Sequence, residues 1–353
     1  MRNYFSFEYS KTLHHILVRH NNNFDVVRLI AALMVIYGHA FILFPTNGHE
    51  DFLRQLLKVD YSGSIAVCIF FFLSGIFVTQ SLEHSKSLKN YCITRFFRIW
   101  PGLAACILLT VFLIAPFFKT ATPFFFTIGT VNYFINLSLI VSKGTLPGMF
   151  LSNHYPNAVN GSLWTLPVEV RCYFSVALLW LTGIVKRPWI LIALLGLILF
   201  FPTNIFINAF LWHLFSIEAV KCYCFFLIGI ISYCYRKKLV VNGIFCLLMI
   251  IITALLFKTP LFIYAFYFSL CYFLLWFGSR KSIIKFHLPG DYSYGIYLYG
   301  FLIQQVVASM FSSTSSYDSL GIVYPIVFLL AFLSWNFVEK PFILFGKKIT
   351  TKK

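Results

Sequence analysis

Charged side chains are scarce in this sequence, and acidic ones are the scarcest. Only 11% of the 353 residues are charged, with 11 Asp and Glu against 28 Lys and Arg. A soluble globular domain has about 25% charged residues, so this chain has too few to cover a water-facing surface. The scarcity excludes a soluble protein and indicates a membrane protein, in which a net charge of +17 requires no nucleic-acid partner.

The sequence also lacks the patterns of a metal site, a disulfide framework and a cleaved leader. Nine cysteines lie mostly inside apolar runs and never at zinc-binding spacing, so we expect small packing residues, no disulfide and no metal. Residues 1–23 have neither the apolar core nor the small-residue cleavage site of a signal peptide. The first apolar run is therefore expected to stay in the mature protein.

Apolar runs are abundant, since 59% of the residues are hydrophobic. Runs of about 20 apolar residues match roughly 30 Å of hydrocarbon, which helices cross with every backbone group bonded. We predict an all-α polytopic membrane protein with about ten transmembrane helices in residues 24–345, between an N-terminal segment, 1–23, and a basic tail, 346–353. The predicted spans are Val26–Phe44, Gly63–Leu82, Pro101–Phe118, Leu163–Val185, Pro188–Phe201, Phe215–Tyr235, Leu239–Phe257, Leu261–Gly278, Tyr294–Phe311 and Gly321–Val338.

The distribution of basic residues predicts the orientation. Cytoplasmic loops collect Lys and Arg, and most of the 28 fall on inner segments when the N-terminus is inside. We therefore predict that both termini are cytoplasmic. The longest non-spanning region, Lys119–Ser162, then lies outside. It is either a platform or lid for an acceptor or a simple connector.

Ionisable residues inside the apolar runs are the first candidates for function. A central charge costs about 2.5–3.5 kcal/mol on insertion scales, so such residues usually face the bundle interior or water. Glu218 and Lys221 either pair with each other at i, i+3 or line a cavity. The full set of candidates is Arg28, His39, Glu169, Arg171, Glu218 and Lys221.

Arg28 and His39 are eleven positions apart in the first span. Eleven residues complete close to three helical turns, so both side chains point the same way, separated by about 16 Å along the axis. An imidazole is suited to act as a general base on a sugar hydroxyl. The alternatives are a histidine satisfied in the core and an arginine that extends to the inner interface.

Arg95 and Arg98 lie at i, i+3 just before the third predicted span. Two neighbouring guanidinium groups suit phosphate binding, although they also suit simple anchoring at the cytoplasmic surface. Glu169 lies in the outer third of the fourth span, where its carboxylate is expected to orient His39. Alternatively, Glu169 pairs with another group, and so does Arg171.

Six motifs follow one another along the chain, from about Phe24 to Phe345. Together they resemble the acyltransferase 3 family, the membrane O-acyltransferases that modify bacterial surface polysaccharides such as O-antigen. The motifs are the R-x10-H spacing from Arg28 to His39, Phe70–Phe77, Arg95–Arg98, Asn160–Glu169, Tyr292–Tyr299 and Ser334–Pro341.

This resemblance implies acetyl-CoA or another acyl-CoA as a cytoplasmic donor substrate, with no permanently bound cofactor. It implies that His39 is catalytic, that Glu169 supports it, and that Arg28, Arg95 and Arg98 help hold the donor. It further implies a multi-pass protein of the inner (plasma) membrane. Its partners would be acyl-CoA, a lipid-linked or polymeric glycan acceptor and membrane lipids.

This chain differs from other members of the family in two respects. Many members carry a histidine where this chain has Gly300, and some carry an extra C-terminal soluble domain that this chain lacks. Any role of that histidine is therefore absent here. Trp164 and Ser74 belong to the six motifs. Together with Arg171, Glu218 and Lys221, they are candidates for lining a common internal cavity.

The leading hypothesis is transfer of an acyl group, acetyl in the expected case, to a sugar hydroxyl. His39 would either deprotonate the hydroxyl or carry the acyl group transiently. A secondary transporter or flippase for a glycan-related substrate also fits intramembrane charges and about ten spans, although no internal repeat is visible. A structural or receptor-like membrane protein is the third hypothesis.

Overall fold

The computed structural model describes residues 11–18, 20–85, 87–118, 127–200, 216–286 and 288–351. These residues are predominantly α-helical, and a short antiparallel pair of strands, Lys11–Thr12 with Val240–Val241, accompanies the helices. The predicted all-α class is therefore confirmed. Parts of the predicted segments 1–23 and 346–353, the start of the long loop, and the two span ends at residues 201 and 215 lie outside the described residues.

A helix occurs at each of the ten apolar runs that the sequence predicts as spans. Several begin earlier or end later than predicted, because polar turns at their ends continue the helix. The ten helices are α1 (Phe24–Leu43), α2 (Ser62–Ser85), α3 (Leu88–Phe118), α4 (Thr165–Leu181), α5 (Pro188–Phe200), α6 (Ile217–Cys234), α7 (Gly243–Leu255), α8 (Phe262–Gly278), α9 (Ser293–Met310) and α10 (Ser316–Thr351).

Five of these helices, within the described residues, are long and apolar enough to cross a membrane: α1, α2, α3, α6 and α10. Helices α5 and α7 have 13 residues each, which is about 20 Å at 1.5 Å per residue and less than the hydrocarbon thickness. The chain is thus a helical membrane protein. The count of ten spans and the orientation of the termini stay predictions.

The two longest helices each contain a π-helical turn, Leu109–Ile114 in α3 and Trp335–Glu339 in α10. Shorter elements connect the main helices. They are the α-helical turns Leu13–Ile16, Phe52–Leu57, Ile128–Tyr133 and Lys281–Ile284 and the 3₁₀ turns Phe134–Ser138, Gly161–Trp164 and Ile184–Lys186.

The chain divides into two compact units. Unit 1 comprises Met1–Arg28, Cys68–Gln80 and Leu178–Pro289, and unit 2 comprises Leu29–Val67, Ser81–Ala177 and Gly290–Lys353. In unit 1, α2 and α6 cross at two glycines. A Cβ atom built on Gly75 would lie 3.0 Å from Cα of Gly229. The glycine of the Phe70–Phe77 motif therefore permits a close backbone approach.

In unit 2, helix α9 is the most deeply buried element, and the other elements pack around it. The hydroxyl of Tyr294 donates to the carbonyl of Ile99 in α3 at 2.8 Å. On another side, a Cβ on Gly295 would lie 2.9 Å from Cα of Ala331 in α10. A Cβ on Gly300 would lie 2.7 Å from Ile36 in α1. Position 300 therefore has no room for a histidine side chain in this packing.

The irregular loop before α4 also packs against α9. The amide of Gln305 donates to the carbonyls of Tyr155 at 2.8 Å and Ala158 at 2.6 Å, and Asn153 donates to the Gln305 side chain at 2.7 Å. Gln305 is fully buried. These bonds hold the described part of the loop against the helix.

We expect Gly75→Val to destabilise unit 1, because the added side chain must separate two helix backbones. Overpacking of this kind costs about 1–3 kcal/mol. Thermal unfolding of the detergent-purified protein measures the change. Gly196→Val is the matched control, since a Cβ at Gly196 meets nothing within 4 Å. Equal melting temperatures for the two variants would contradict the close approach.

Candidate active site

Arg28 and His39 lie on the uninterrupted helix α1. The helix is continuous between them, so the side chains share one side of the helix, as the spacing predicts. Arg28 belongs to unit 1 and His39 to unit 2.

The imidazole of His39 is enclosed by aromatic rings in unit 2. Its centroid lies 5.1 Å from that of Phe301, edge to face, and 6.5 Å from that of Tyr61. Its Nδ1 atom is buried and has no hydrogen-bond partner among the described residues. A buried polar atom without a partner costs about 1–3 kcal/mol, so it calls for a functional explanation.

The loop that precedes α4 reaches the same aromatic ring. A Cβ on Gly161 would lie 2.7 Å from the ring of Phe301. The motif Asn160–Glu169 therefore begins beside the group that contacts His39. Gly161 at this point lets the backbone approach the ring closely.

Glu169 contacts a tyrosine that lies beside Arg95. Its carboxylate accepts a hydrogen bond from the hydroxyl of Tyr173. The guanidinium of Arg95 lies 5.9 Å from the ring centroid of Tyr173, and Tyr91 donates to the Tyr173 carbonyl at 3.0 Å. The described hydrogen bonds and ion pairs do not join Glu169 to His39. The hydrogen bond from Tyr91 to Tyr173 joins α4 to the first turn of α3 and places Glu169 near Arg95.

Arg98 is enclosed by two carboxylates that the sequence analysis did not single out. Its Nη2 donates to Asp291 at 2.5 Å, and its Nη1 lies 4.0 Å from Glu339. Only 1% of the Glu339 side chain is exposed. The hydroxyl of Ser334 donates to Glu339 at 2.8 Å, and that of Ser293 to Asp291 at 2.6 Å. The charge of Arg98 is thus balanced inside the protein.

Arg95 differs from Arg98 in its partners. Its Nη2 donates to the hydroxyl of Ser81 at 3.4 Å, and its Nε is buried without a hydrogen-bond partner. Among the described residues no carboxylate lies within ion-pair distance of it. Of the two arginines in the R-x-x-R motif, Arg95 therefore keeps more of its charge for a ligand.

The imidazole and the arginines form two levels along α9. Tyr294 lies 5.7 Å from the Arg98 guanidinium, and Phe301 contacts His39. Seven helical positions separate these two residues, which is about 10 Å along the axis. Both levels belong to unit 2.

Buried polar contacts occupy the space between these two levels. Asn160 donates to the carbonyl of Leu298 at 2.8 Å, and Cys106 donates to the same carbonyl at 3.5 Å. The hydroxyl of Tyr297 donates to the carbonyl of Ser162 at 2.8 Å. These bonds fix the Asn160–Glu169 motif to α9.

The remaining predicted residues have other surroundings. In unit 1, Arg28 pairs with Asp25 at 3.6 Å and lies 5.0 Å from the ring of Phe77. In unit 2, Arg171 donates to the carbonyl of Ile140 at 2.6 Å in an exposed position. Arg171 thus bonds the loop in this position, and its role in lining a cavity stays a prediction.

The second group of predicted cavity residues is dispersed. Lys221 lies 5.0 Å from the ring of Tyr267 in unit 1, and Glu218 is exposed at the start of α6. The described contacts include no ion pair between Glu218 and Lys221. Ser74 of unit 1 and Trp164 of unit 2 are half-buried. A common cavity for these residues therefore stays a prediction.

Taken together, the fold and the site define a helical membrane protein in which an imidazole with a buried Nδ1 atom and two guanidinium groups lie at two levels of helix α9. Residues 21–338 match the acyltransferase 3 family, which is described as an acyltransferase domain. The chain therefore belongs to this family.

Two relatives are similar to the chain over different lengths. The O-acetyl transferase of Shigella phage Sf6 is 30% identical over 342 residues, which cover 92% of this chain and 96% of that protein. Nodulation protein 10 of Rhizobium leguminosarum bv. viciae is 29% identical over 168 residues, 45% of this chain and 44% of that protein. No solved structure matches.

We expect Arg98→Ala to destabilise the protein strongly, because it leaves Glu339 buried without a counter-charge. Removing one partner of a buried pair costs about 3–5 kcal/mol. The double variant Arg98→Ala/Glu339→Gln should recover part of the loss, which thermal unfolding of all variants in a double-mutant cycle measures. An Arg98→Ala protein as stable as the wild type would contradict this assignment.

Proposed function

We propose that the protein transfers an acyl group, acetyl in the first instance, from cytoplasmic acyl-CoA to a sugar hydroxyl of a cell-surface or lipid-linked glycan. The observation that carries the proposal is the buried Nδ1 of His39, which has no partner among the described residues. Membership of an acyltransferase family supports acyl transfer. The name of the phage relative supports an oxygen acceptor and an acetyl group.

In the direct route, His39 acts as the general base. The imidazole takes the proton of the acceptor hydroxyl while the hydroxyl oxygen attacks the thioester carbonyl. The new C–O bond forms, the C–S bond breaks, and the imidazolium returns its proton to the leaving CoA thiolate. No charge is left in the site at the end of the reaction.

In the alternative route, the imidazole nitrogen itself attacks the thioester. The C–S bond breaks, CoA leaves as the thiol with the proton of the imidazole N–H, and the acyl group stays on His39. The sugar hydroxyl then attacks the acyl carbon, the C–N bond breaks, and the hydroxyl proton returns to the imidazole. The aromatic rings of Phe301 and Tyr61 lie beside the imidazole. Apolar rings at this position would limit the access of water and so protect either route against hydrolysis.

On the donor side, we assign different roles to the two arginines of the R-x-x-R motif. Arg95, which has no carboxylate partner in the described residues, binds the phosphates of the donor. Arg98 is held by Asp291 and Glu339, and it positions α3 against α9 and α10. Glu169 acts as a positioning residue, because it fixes the ring of Tyr173 beside Arg95.

The proposal includes a topology. With both termini in the cytoplasm and ten spans in residues 24–345, the arginines face the cytoplasmic donor and His39 faces the glycan. The protein would then lie in the inner membrane as a multi-pass protein, with segments 1–23 and 346–353 inside. Arg28, which pairs with Asp25 in unit 1, is a further candidate for binding the donor.

We expect His39→Ala to reduce acyl transfer by about 10²–10⁴-fold, the range for loss of a general base. The measurement uses proteoliposomes with labelled acetyl-CoA and mass spectrometry of the glycan product. His49→Ala is the control, since His49 is exposed and contacts Tyr317. Full thioester consumption by the His39→Ala variant would favour a transporter or flippase whose thioester turnover is incidental.

We expect Arg95→Gln to raise the KM for acetyl-CoA about tenfold with little change in melting temperature, since its guanidinium has no carboxylate partner to lose. Initial rates at varied acetyl-CoA measure the effect. Arg280→Gln is the control on another basic segment, where Arg280 is exposed and lies over Trp276. An unchanged KM for Arg95→Gln would exclude the phosphate-binding role.

A further inference from the structure

A polar cavity of about 350 Å³ lies along the segment that joins α1 to α2 in unit 2. It is separate from the arginines on the donor side, and neither route of acyl transfer described above uses it. Four of its five lining residues are charged or carry an amide, and two are cations. The lining residues are Glu50, Arg54, Gln55, Lys58 and Val59.

The cations of this cavity are not neutralised by the surrounding structure. Arg54 and Lys58 form no ion pair within 4 Å among the described residues. The neighbouring carboxylate of Asp51 accepts hydrogen bonds from the backbone of Arg54 at 3.1 Å and from the backbone and hydroxyl of Ser62 at 3.0 and 2.9 Å. Glu50 is the one carboxylate in the lining. The cavity is therefore net positive, which suits a carboxylate or phosphate.

The wall of the cavity is attached to the helix that carries His39. The backbone of Phe52 donates to the hydroxyl of Tyr37 at 3.4 Å, and Tyr37 lies two positions before His39. Beyond the cavity, the ring of Tyr61 lies 6.5 Å from the imidazole. Lys58 is three residues from Tyr61, at most about 11 Å along the chain. The cavity and the imidazole are therefore separated by no more than the length of a short oligosaccharide.

We propose that this cavity is an acceptor subsite that binds a negatively charged group of the glycan. The group is either the carboxylate of an acidic sugar or the diphosphate that links a sugar to a lipid carrier, since both present anionic oxygens to Arg54 and Lys58. The inference rests on the proposed acyl transfer and deepens it. The subsite holds the acceptor by its charge, and the hydroxyl to be acylated lies at His39.

The test measures binding of defined probes to the full-length protein in phosphatidylcholine nanodiscs, without an acyl donor. The probes are trigalacturonate, neutral galactotriose and inorganic pyrophosphate, titrated by calorimetry at about 50 mM and about 500 mM NaCl, where screening differs strongly. The variants are Arg54→Gln/Lys58→Gln and the control Lys258→Gln, whose side chain is exposed in unit 1. Size-exclusion chromatography checks that each variant is folded.

We expect an anionic probe to bind more tightly than galactotriose, and the double variant to bind it about tenfold more weakly. The control should bind as the wild type does, and high salt should weaken binding to the wild type. Preference for trigalacturonate identifies an acidic sugar, and preference for pyrophosphate identifies a lipid-linked diphosphate.

Equal binding of charged and neutral probes, binding of no probe, or unchanged affinity in the double variant would overturn the subsite. Because the titration needs no acyl donor, failure of the subsite is distinguishable from failure of acyl transfer. In the first case the wild type still acetylates glycan in proteoliposomes. In the second case it binds the anion and transfers nothing.

Discussion

The charge of Arg98 has to be balanced inside unit 2, and the way it is balanced connects three distant parts of the chain. Arg98 belongs to α3, Asp291 precedes α9, and Glu339 lies in α10. An uncompensated ion in such surroundings is strongly unfavourable, so the three elements must assemble together. The position of α9 follows from this assembly, and with it the position of Phe301 beside His39.

In the proposed reaction, two chemical tasks are separated along α9. At one level, the guanidinium groups of Arg95 and Arg98 lie beside tyrosine rings. About 10 Å further along the helix, aromatic rings surround one imidazole whose Nδ1 has no partner in the described part of the chain. Proton transfer is favoured by a nitrogen that makes no other hydrogen bond. Binding of the donor phosphates is favoured by a fixed positive charge. The separation allows each level to have the environment that its chemistry requires.

Helix positions and the R-x10-H geometry could be predicted from sequence, because hydropathy and the 3.6-residue period report them directly. The surroundings of Glu169 could not be predicted from the sequence. They depend on long-range packing of α4 against α3, such as the hydrogen bond from Tyr91 to the Tyr173 carbonyl, which local sequence patterns do not report. Asp291 and Glu339 were missed for a related reason. Both lie at the edges of apolar runs, where a carboxylate usually indicates only the end of a span.

The π-helical turn Trp335–Glu339 constrains the permitted length of α10. Such a turn holds an additional residue compared with an α-helix, and here it turns Glu339 inwards while Phe337 stays 73% exposed. Deleting one residue would rotate everything that follows by about 100°, including Gly346, which packs against Phe97. Substitutions that keep the length, such as exchanging Phe337 for another apolar residue, leave this register intact. The end of the chain thus tolerates change in composition far better than insertion or deletion.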